Sequence, residues 1–233
     1  EFSELYAEVR QKLLKVFGVD SKDYSSFVIG GSGTAAMESV LASTVHQGRK
    51  MLVINNGAFG DRMAQICSVY GIPTLKTDYQ WGEYPKLSGI EKLLQNPDVE
   101  AVSMVFMETS TGMLNPVRDV GSLCRKYDKM FIVDAVSGLA GDPLDIQGSN
   151  IDFCFSNTNK GISGLPVVSF VCAKKSSVEK IRDISPRTFY LNLLKYYDYA
   201  EKMNQTPFTP QISFFYMLRQ ALHELLEEQS YFL

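Results

Sequence analysis

At 233 residues, with 45% hydrophobic and 21% charged side chains, the chain can bury a sizeable core as one large domain or two small ones. A formal net charge of −3 leaves no basic footprint for nucleic acid, and no apolar run is long enough to cross a bilayer. No secretory signal pattern opens the sequence, and four scattered cysteines without C-x-x-C spacing (Cys67, Cys124, Cys154, Cys172) point to buried thiols in a reducing cytoplasm rather than to disulfides or a metal site.

Apolar residues at helical spacing (Leu5, Val9, Leu13, Leu14, Phe17) predict a first helix over 2–17, ended by Gly18. Phe27-Val28-Ile29 predicts a short strand leading into Gly30-Gly31-Ser32-Gly33-Thr34, followed by a helix through Ala36, Met37, Val40 and Leu41. Residues 51–54 predict a strand, 61–70 a helix stopped by Gly71, and 101–107 another apolar strand. Asn115-Pro116 introduces a helix over 117–127, with proline at its start. Three more strands are expected at 130–134, 151–156 and 167–172; the loop 161–166 allows the last two to pair antiparallel. From Ser177 onward the pattern is helical, with a break at Pro207-Phe208-Thr209-Pro210 and a last helix over 212–228. His46 and His223 are isolated and read as surface helix residues. Short apolar strands alternating with helices predict an α/β fold with a mainly parallel sheet flanked by helices.

The chemistry concentrates at strand ends. Asp134 closes one apolar strand and Lys160 follows the next, in IVDAVSGLAG and SNTNK. In a parallel sheet both side chains emerge at the carboxyl-end crevice, where such sheets bind ligands. A buried carboxylate beside an amine suits pyridoxal phosphate: the lysine forms a Schiff base and the aspartate keeps the pyridine nitrogen protonated. Lysine fits because its amine can lose its proton in a poorly hydrated site, which arginine cannot do. The competing reading is a pair of exposed strand-end charges or a structural salt bridge. Residues 30–34 offer backbone N–H groups, two hydroxyls and a helix N-terminus to a phosphate. They match neither G-x-G-x-x-G nor a Walker A loop, and a plain glycine turn with Ser32 as N-cap is the alternative. Phe59, in Asn56-Gly57-Ala58-Phe59-Gly60-Asp61-Arg62, would either stack on a planar cofactor or cap the core. The hydroxyls of Glu108-Thr109-Ser110-Thr111-Gly112 would serve a ligand or ordinary turn and cap bonds. The tyrosine-rich stretch 189–197 reads as core or interface packing.

Together these segments resemble the class V, fold-type I pyridoxal-phosphate aminotransferases, and among them the 2-aminoethylphosphonate–pyruvate transaminases. The segments Gly31 to Thr34, Asn56 to Arg62, Glu108 to Pro116, Val133 to Ser137 and Ser156 to Lys160 carry the resemblance, joined by Arg187 to Leu193 and Phe208-Thr209-Pro210. It covers nearly the whole chain. It implies Lys160 as the Schiff-base lysine and proton shuttle, and Asp134 as partner of the pyridinium nitrogen. It also implies Phe59 stacked on the ring, Thr109 on the ring hydroxyl, and Ser32, Gly33 and Thr34 on the phosphate. Val136 would join the cofactor contacts and Asn159 would help fix the lysine and substrate. Thr209 would reach the phosphate of the neighbouring subunit's cofactor in a homodimer.

The implied reaction moves the amino group of 2-aminoethylphosphonate to pyruvate, giving phosphonoacetaldehyde and alanine. Its partners are a small amino donor and a 2-oxo acid, with no nucleic acid or membrane. Residues 1–233 are expected to be the cofactor-binding large domain alone. The family's opening segment and its smaller C-terminal domain, which supplies the arginine for the substrate carboxylate, lie outside the resemblance. The other readings are a different class V aminotransferase (alanine–glyoxylate or serine–pyruvate), a catalytically inactive fragment acting as scaffold or dimerisation domain, and a nucleotide-binding domain using residues 30–34.

Overall fold

A computed structural model describes residues 1–230. In chain order the elements are α1 (Phe2–Val16), β1 (Tyr24–Gly30), α2 (Gly33–Ser43), β2 (Lys50–Asn55), α3 (Ala58–Val69), β3 (Thr74–Asp78), α4 (Leu87–Leu94) and β4 (Val99–Val105). A small hairpin, β5 (Met107–Glu108) and β6 (Met113–Leu114), precedes α5 (Val117–Lys126) and β7 (Met130–Asp134). The chain continues through β8 (Phe153–Asn157), β9 (Val168–Lys174), α6 (Lys175–Glu179), α7 (Leu193–Met203) and α8 (Ile212–Ser230).

Seven strands form one sheet in the order β1-β9-β8-β7-β4-β2-β3. The pairs β2·β3, β2·β4, β4·β7 and β7·β8 are parallel. β9 runs against both β8 and β1, so β1 points the same way as the parallel strands. The physical reason lies in the connection: the loop 158–167 is too short for a parallel crossover, so β9 returns beside β8 in the opposite direction. The expected antiparallel pairing of these two strands is therefore observed. β7 and β8 carry Phe131, Phe153 and Phe155 completely out of solvent, as apolar runs covered on both faces must be. α2 packs against β8 and β9, α3 against β2, α5 against β7, and α1 and α7 against β1.

Several boundaries differ from the sequence expectation. α3 begins at Ala58, not near Asp61, which places Phe59 in its first turn. The helical pattern after Ser177 stops at Glu179, and the chain runs irregularly until α7. Pro186 falls in that interval, and Arg187 anchors it by donating to the Ala42 carbonyl, 3.0 Å away. β3, α4 and the β5–β6 hairpin were not expected. β3 is an edge strand of sequence TLKTD with no fully buried residue, so it offers no apolar run to read. His46 is not helical. It sits in the connection after α2, with its ring bridging Glu100 (2.6 Å) and Asp183 (3.0 Å). His223 does lie on a helix, within α8. All four cysteines are free and buried. No helix among the described residues is long and apolar enough to cross a membrane.

The tightest packing constraint lies beneath β7. A Cβ on Gly121 of α5 would come 1.8 Å from the Ser149 carbonyl oxygen, which is backbone and cannot yield cheaply. Gly121→Ala is expected to cost on the order of 3 kcal/mol, seen as a lower urea midpoint at unchanged slope.

The bridged ring of His46 has its pKa raised, first by the hydrogen bond with Asp183 and then by Glu100, against the opposing effect of burial. Its stabilisation is therefore complete below the unfolded value of 6.5 and fades as pH rises through the higher folded value. His46→Gln should remove that part of the pH dependence of the melting temperature while leaving acid unfolding in place.

Candidate active site

The parallel strands deliver their C-terminal ends to one edge of the sheet, and the connections after β1, β2, β4, β7 and β8 meet there. A cleft of about 250 Å³ opens at this edge. Its walls include Asp134 and Lys160 together with Ser32, Gly33, Thr34, Phe59 and Val136.

Asp134 is the last residue of β7 and is 2% exposed. The one hydrogen bond to its carboxyl among the described residues comes from the Val136 N–H to Oδ1, at 2.8 Å. Burial pushes the carboxyl up to about 7; the Val136 bond and Arg62 oppose the shift, and Glu108 adds to it. Lys160 lies in the turn after β8 and is exposed, with no ion pair or hydrogen bond from its ammonium group among the described residues. The pair is thus neither two exposed charges nor a salt bridge: the acid is buried, the amine is free, and both face one cleft.

Ser32 is the N-cap residue of α2, yet its hydroxyl makes no capping bond, so it remains available. Gly33 allows a close approach: a Cβ there would lie 2.9 Å from Val136 Cγ2 and 3.3 Å from Asn157 Nδ2. Phe59 is half-buried, with one side packed on the core and the cleft on the other. The first turn of α3, which carries it, is held by a buried carboxylate: Glu108 accepts from the Phe59 N–H (3.4 Å) and the Gly60 N–H (3.3 Å). Ser110 Oγ donates to the same carboxylate at 2.6 Å and accepts from the Ala58 N–H at 3.0 Å. For Glu108 and Ser110 the turn-and-cap reading holds.

Three expected residues do not line this cleft. Thr109 is exposed and its hydroxyl is hydrogen-bonded to that of Ser137, a wall residue, which puts it at the rim. Asn159 is exposed in the turn before Lys160. Thr209 sits in a separate recess with Gly30, Tyr190 and Gln211. Conversely, Met37, Arg62, Ser137 and Asn157 are wall residues that sequence reasoning did not single out. Arg62 and Asn157 stood inside quoted motifs, and their polarity beside a phosphate-type loop was the available signal. A wider cleft of about 370 Å³ opens at the opposite edge of the sheet around Asp152, Arg125 and Lys129 and contains none of the expected residues.

The aminotransferase class-V family model matches residues 1–231. The chain belongs to that family. It is 37% identical over 232 residues to a bifunctional phosphonoacetaldehyde hydrolase/aminoethylphosphonate transaminase of Clostridioides difficile, covering 99% of this chain and 36% of that protein. It is 36% identical over 222 residues to a 2-aminoethylphosphonate–pyruvate transaminase of Klebsiella pneumoniae, covering 94% of this chain and 60% of that one. Among solved structures, an alanine–glyoxylate aminotransferase from Nostoc sp. superposes with a TM-score of 0.89 at 28% identity, over 97% of this chain and 60% of its own. The chain thus spans less than two thirds of the length of these relatives. The family is in general dependent on pyridoxal phosphate, and its fold is the mostly parallel, helix-flanked sheet seen here.

The raised carboxyl of Asp134 has a measurable consequence in the ligand-free chain. The folded state holds a proton on it that the unfolded state releases near 3.8, so stability falls as pH rises from about 4 through about 7. Asp134→Asn should flatten the melting temperature across that interval and melt higher than the parent at pH 8.

Proposed function

We propose that the cleft binds pyridoxal phosphate and that the chain serves amino transfer from 2-aminoethylphosphonate to pyruvate. The observation that carries this reading is the buried, proton-poised carboxyl of Asp134 on one strand tip and the unpaired amine of Lys160 beyond the next, facing a single cleft. The fit to the cofactor rests on what the walls leave unsatisfied. The Asp134 carboxyl has one hydrogen-bond partner, Ser32 an unused hydroxyl, and Asn157 Oδ1 is buried with no partner at all. A protonated ring nitrogen would pair with the Asp134 carboxyl, a phosphate would accept from the Ser32 hydroxyl, and an N–H or O–H of the bound group would satisfy Asn157 Oδ1.

Bound there, pyridoxal phosphate supplies an aldehyde that condenses with amines and a ring that accepts the electrons left when a substrate Cα–H bond is broken. The rest is done by the chain. Asp134, deprived of water, would hold a proton-bearing ring nitrogen as its ion-pair partner and keep that nitrogen charged. Lys160 Nζ would hold the aldehyde carbon of the bound group and, once displaced by an amino donor, would serve as the base that moves the donor's Cα proton. Phe59 offers a flat apolar face, and its position is set by Glu108 at the start of α3. Ser32, Gly33 and Thr34 present hydroxyls and the free amides of α2 to the phosphate. Val136 fixes the carboxyl of Asp134, and Thr109, at the rim and hydrogen-bonded to Ser137, would bond the ring hydroxyl. Asn159, exposed in the turn before Lys160, would help fix the lysine and the substrate. Thr209, outside this cleft, suits contact with the phosphate of a second copy in a homodimer. The amino donor and acceptor are read from the phosphonate transaminases of Clostridioides difficile and Klebsiella pneumoniae. The likeness to the Nostoc enzyme favours alanine and glyoxylate as the second pair to test.

Borohydride reduction of the chain with pyridoxal phosphate should add one pyridoxyl mass at Lys160, located by peptide mapping, and Lys160→Ala should take up none. Retention of the adduct by that variant would refute the assignment. Single-turnover spectra should then change with 2-aminoethylphosphonate and, because the pyruvate half-reaction runs in reverse, with alanine, but not with serine. A change with alanine and none with 2-aminoethylphosphonate would replace the phosphonate reading with the alanine–glyoxylate one.

A further inference from the structure

Arg62 is not used by the reading above, and no family motif assigned it a role. It lies on the exposed side of α3, one turn beyond Phe59, and forms no salt bridge among the described residues. Its guanidinium carbon sits 4.6 Å from the centre of the Phe59 ring, and Nη1 donates to Thr34 Oγ1 at 3.2 Å. It is therefore a cation held at the cleft wall by an aromatic face and by a hydroxyl of the α2 N-terminus, with most of its donors unused. A second observation points to a ligand at the same place. Asn157, 7% exposed, lines the cleft and makes no side-chain hydrogen bond: its Nδ2, which faces Gly33, keeps both N–H donors unused for an anion, while Oδ1 is buried without a partner.

We propose that Arg62 is a phosphate-binding residue: its guanidinium turns from Thr34 to a dianionic phosphate ester seated on Ser32, Gly33 and Thr34, with the Asn157 amide completing the seat. The inference rests on the cleft being a pyridoxal-phosphate site. The chemistry is direct. A phosphate monoester carries close to two negative charges at neutral pH, and a helix N-terminus offers roughly half a positive charge. Without a side-chain cation most of that charge would be unmatched. The planar fork of arginine supplies paired N–H donors that match two phosphate oxygens, and its stacking on Phe59 reduces the ordering lost on binding.

The test compares two ligands that differ only in the phosphate, pyridoxal phosphate and pyridoxal, by equilibrium binding to the parent chain, Arg62→Ala and Arg62→Lys, with circular dichroism confirming the fold of each. Arg62→Ala should weaken pyridoxal phosphate by about 10- to 100-fold, the range expected for losing one or two charge-assisted hydrogen bonds, and leave pyridoxal unchanged. Arg62→Lys should recover part of the loss, because it keeps the charge but not the fork. Equal weakening of both ligands would overturn the proposal and make Arg62 a support for Phe59. Unchanged cofactor affinity with a raised KM for the amino donor would overturn it in favour of the substrate anion. If the parent chain takes up a reducible group at Lys160 while Arg62→Ala keeps the full preference for the phosphorylated ligand, only this inference fails. If the parent chain takes up no reducible group, the reading of the cleft fails with it.

Discussion

The site depends on the common direction of β1, β2, β4, β7 and β8. Parallel pairing sends every one of their C-terminal connections to the same edge, so residues far apart in sequence meet without any contact specific to them. β9 is the one reversed strand of the large sheet, and it lies between β1 and β8. Its insertion has a structural use: it brings the turn 31–32 and the start of α2 beside the tip of β8 without a long crossover. The anion-seating end and the lysine-bearing turn thus become neighbours through one short antiparallel return.

Around that edge, two carboxylates are kept from water and treated differently. Asp134 receives one backbone N–H and is pushed towards neutrality. Glu108, fully buried, accepts from three backbone N–H groups and a hydroxyl. The first is left wanting a positive partner; the second is already satisfied as the cap of α3, whose N-cap Gly57 has no side chain to do so. The difference in hydrogen bonding separates a group available for chemistry from a group that holds the wall in place. Glycine at position 57 follows from the same arrangement, because a Cβ there would fall 2.4 Å from the Glu108 carboxyl carbon.

The helical layer adds rigidity behind the site. Tyr6 of α1 accepts from the Val28 N–H of β1 at 3.0 Å, and Phe2 and Tyr6 meet Phe215 of α8 edge-on. Arg10 of α1 donates to the Ala200 carbonyl and to Asn204 at the end of α7, each at 2.6 Å. These contacts clamp β1 from outside and so fix where the loop at 30–34 begins. Buried aromatic anchors of this kind contribute about 1.5–3 kcal/mol each.

Much of this was legible in the chain alone. The apolar runs that became β4, β7, β8 and β9, the helix start after Asn115-Pro116, and the placement of Asp134 and Lys160 at strand ends all follow from local pattern, because burial on both faces requires uninterrupted apolar residues. β3 was hidden because an edge strand has no such requirement, and the stretch after Glu179 misled because its helical periodicity is overridden by Pro186 and by the anchoring of Arg187. What only the tertiary structure decided is which polar residues turn inward. Asn157, the last residue of β8, follows the pleat of the sheet and faces the cleft, whereas Asn159, two positions on, has left the sheet and is exposed. Arg62 enters the wall because α3 begins early enough to stack it on Phe59, and Thr209 stays out because its turn packs against β1 and Tyr190. Local patterning determines where strands and helices form; the direction of a side chain at their ends is set by register and by long-range packing.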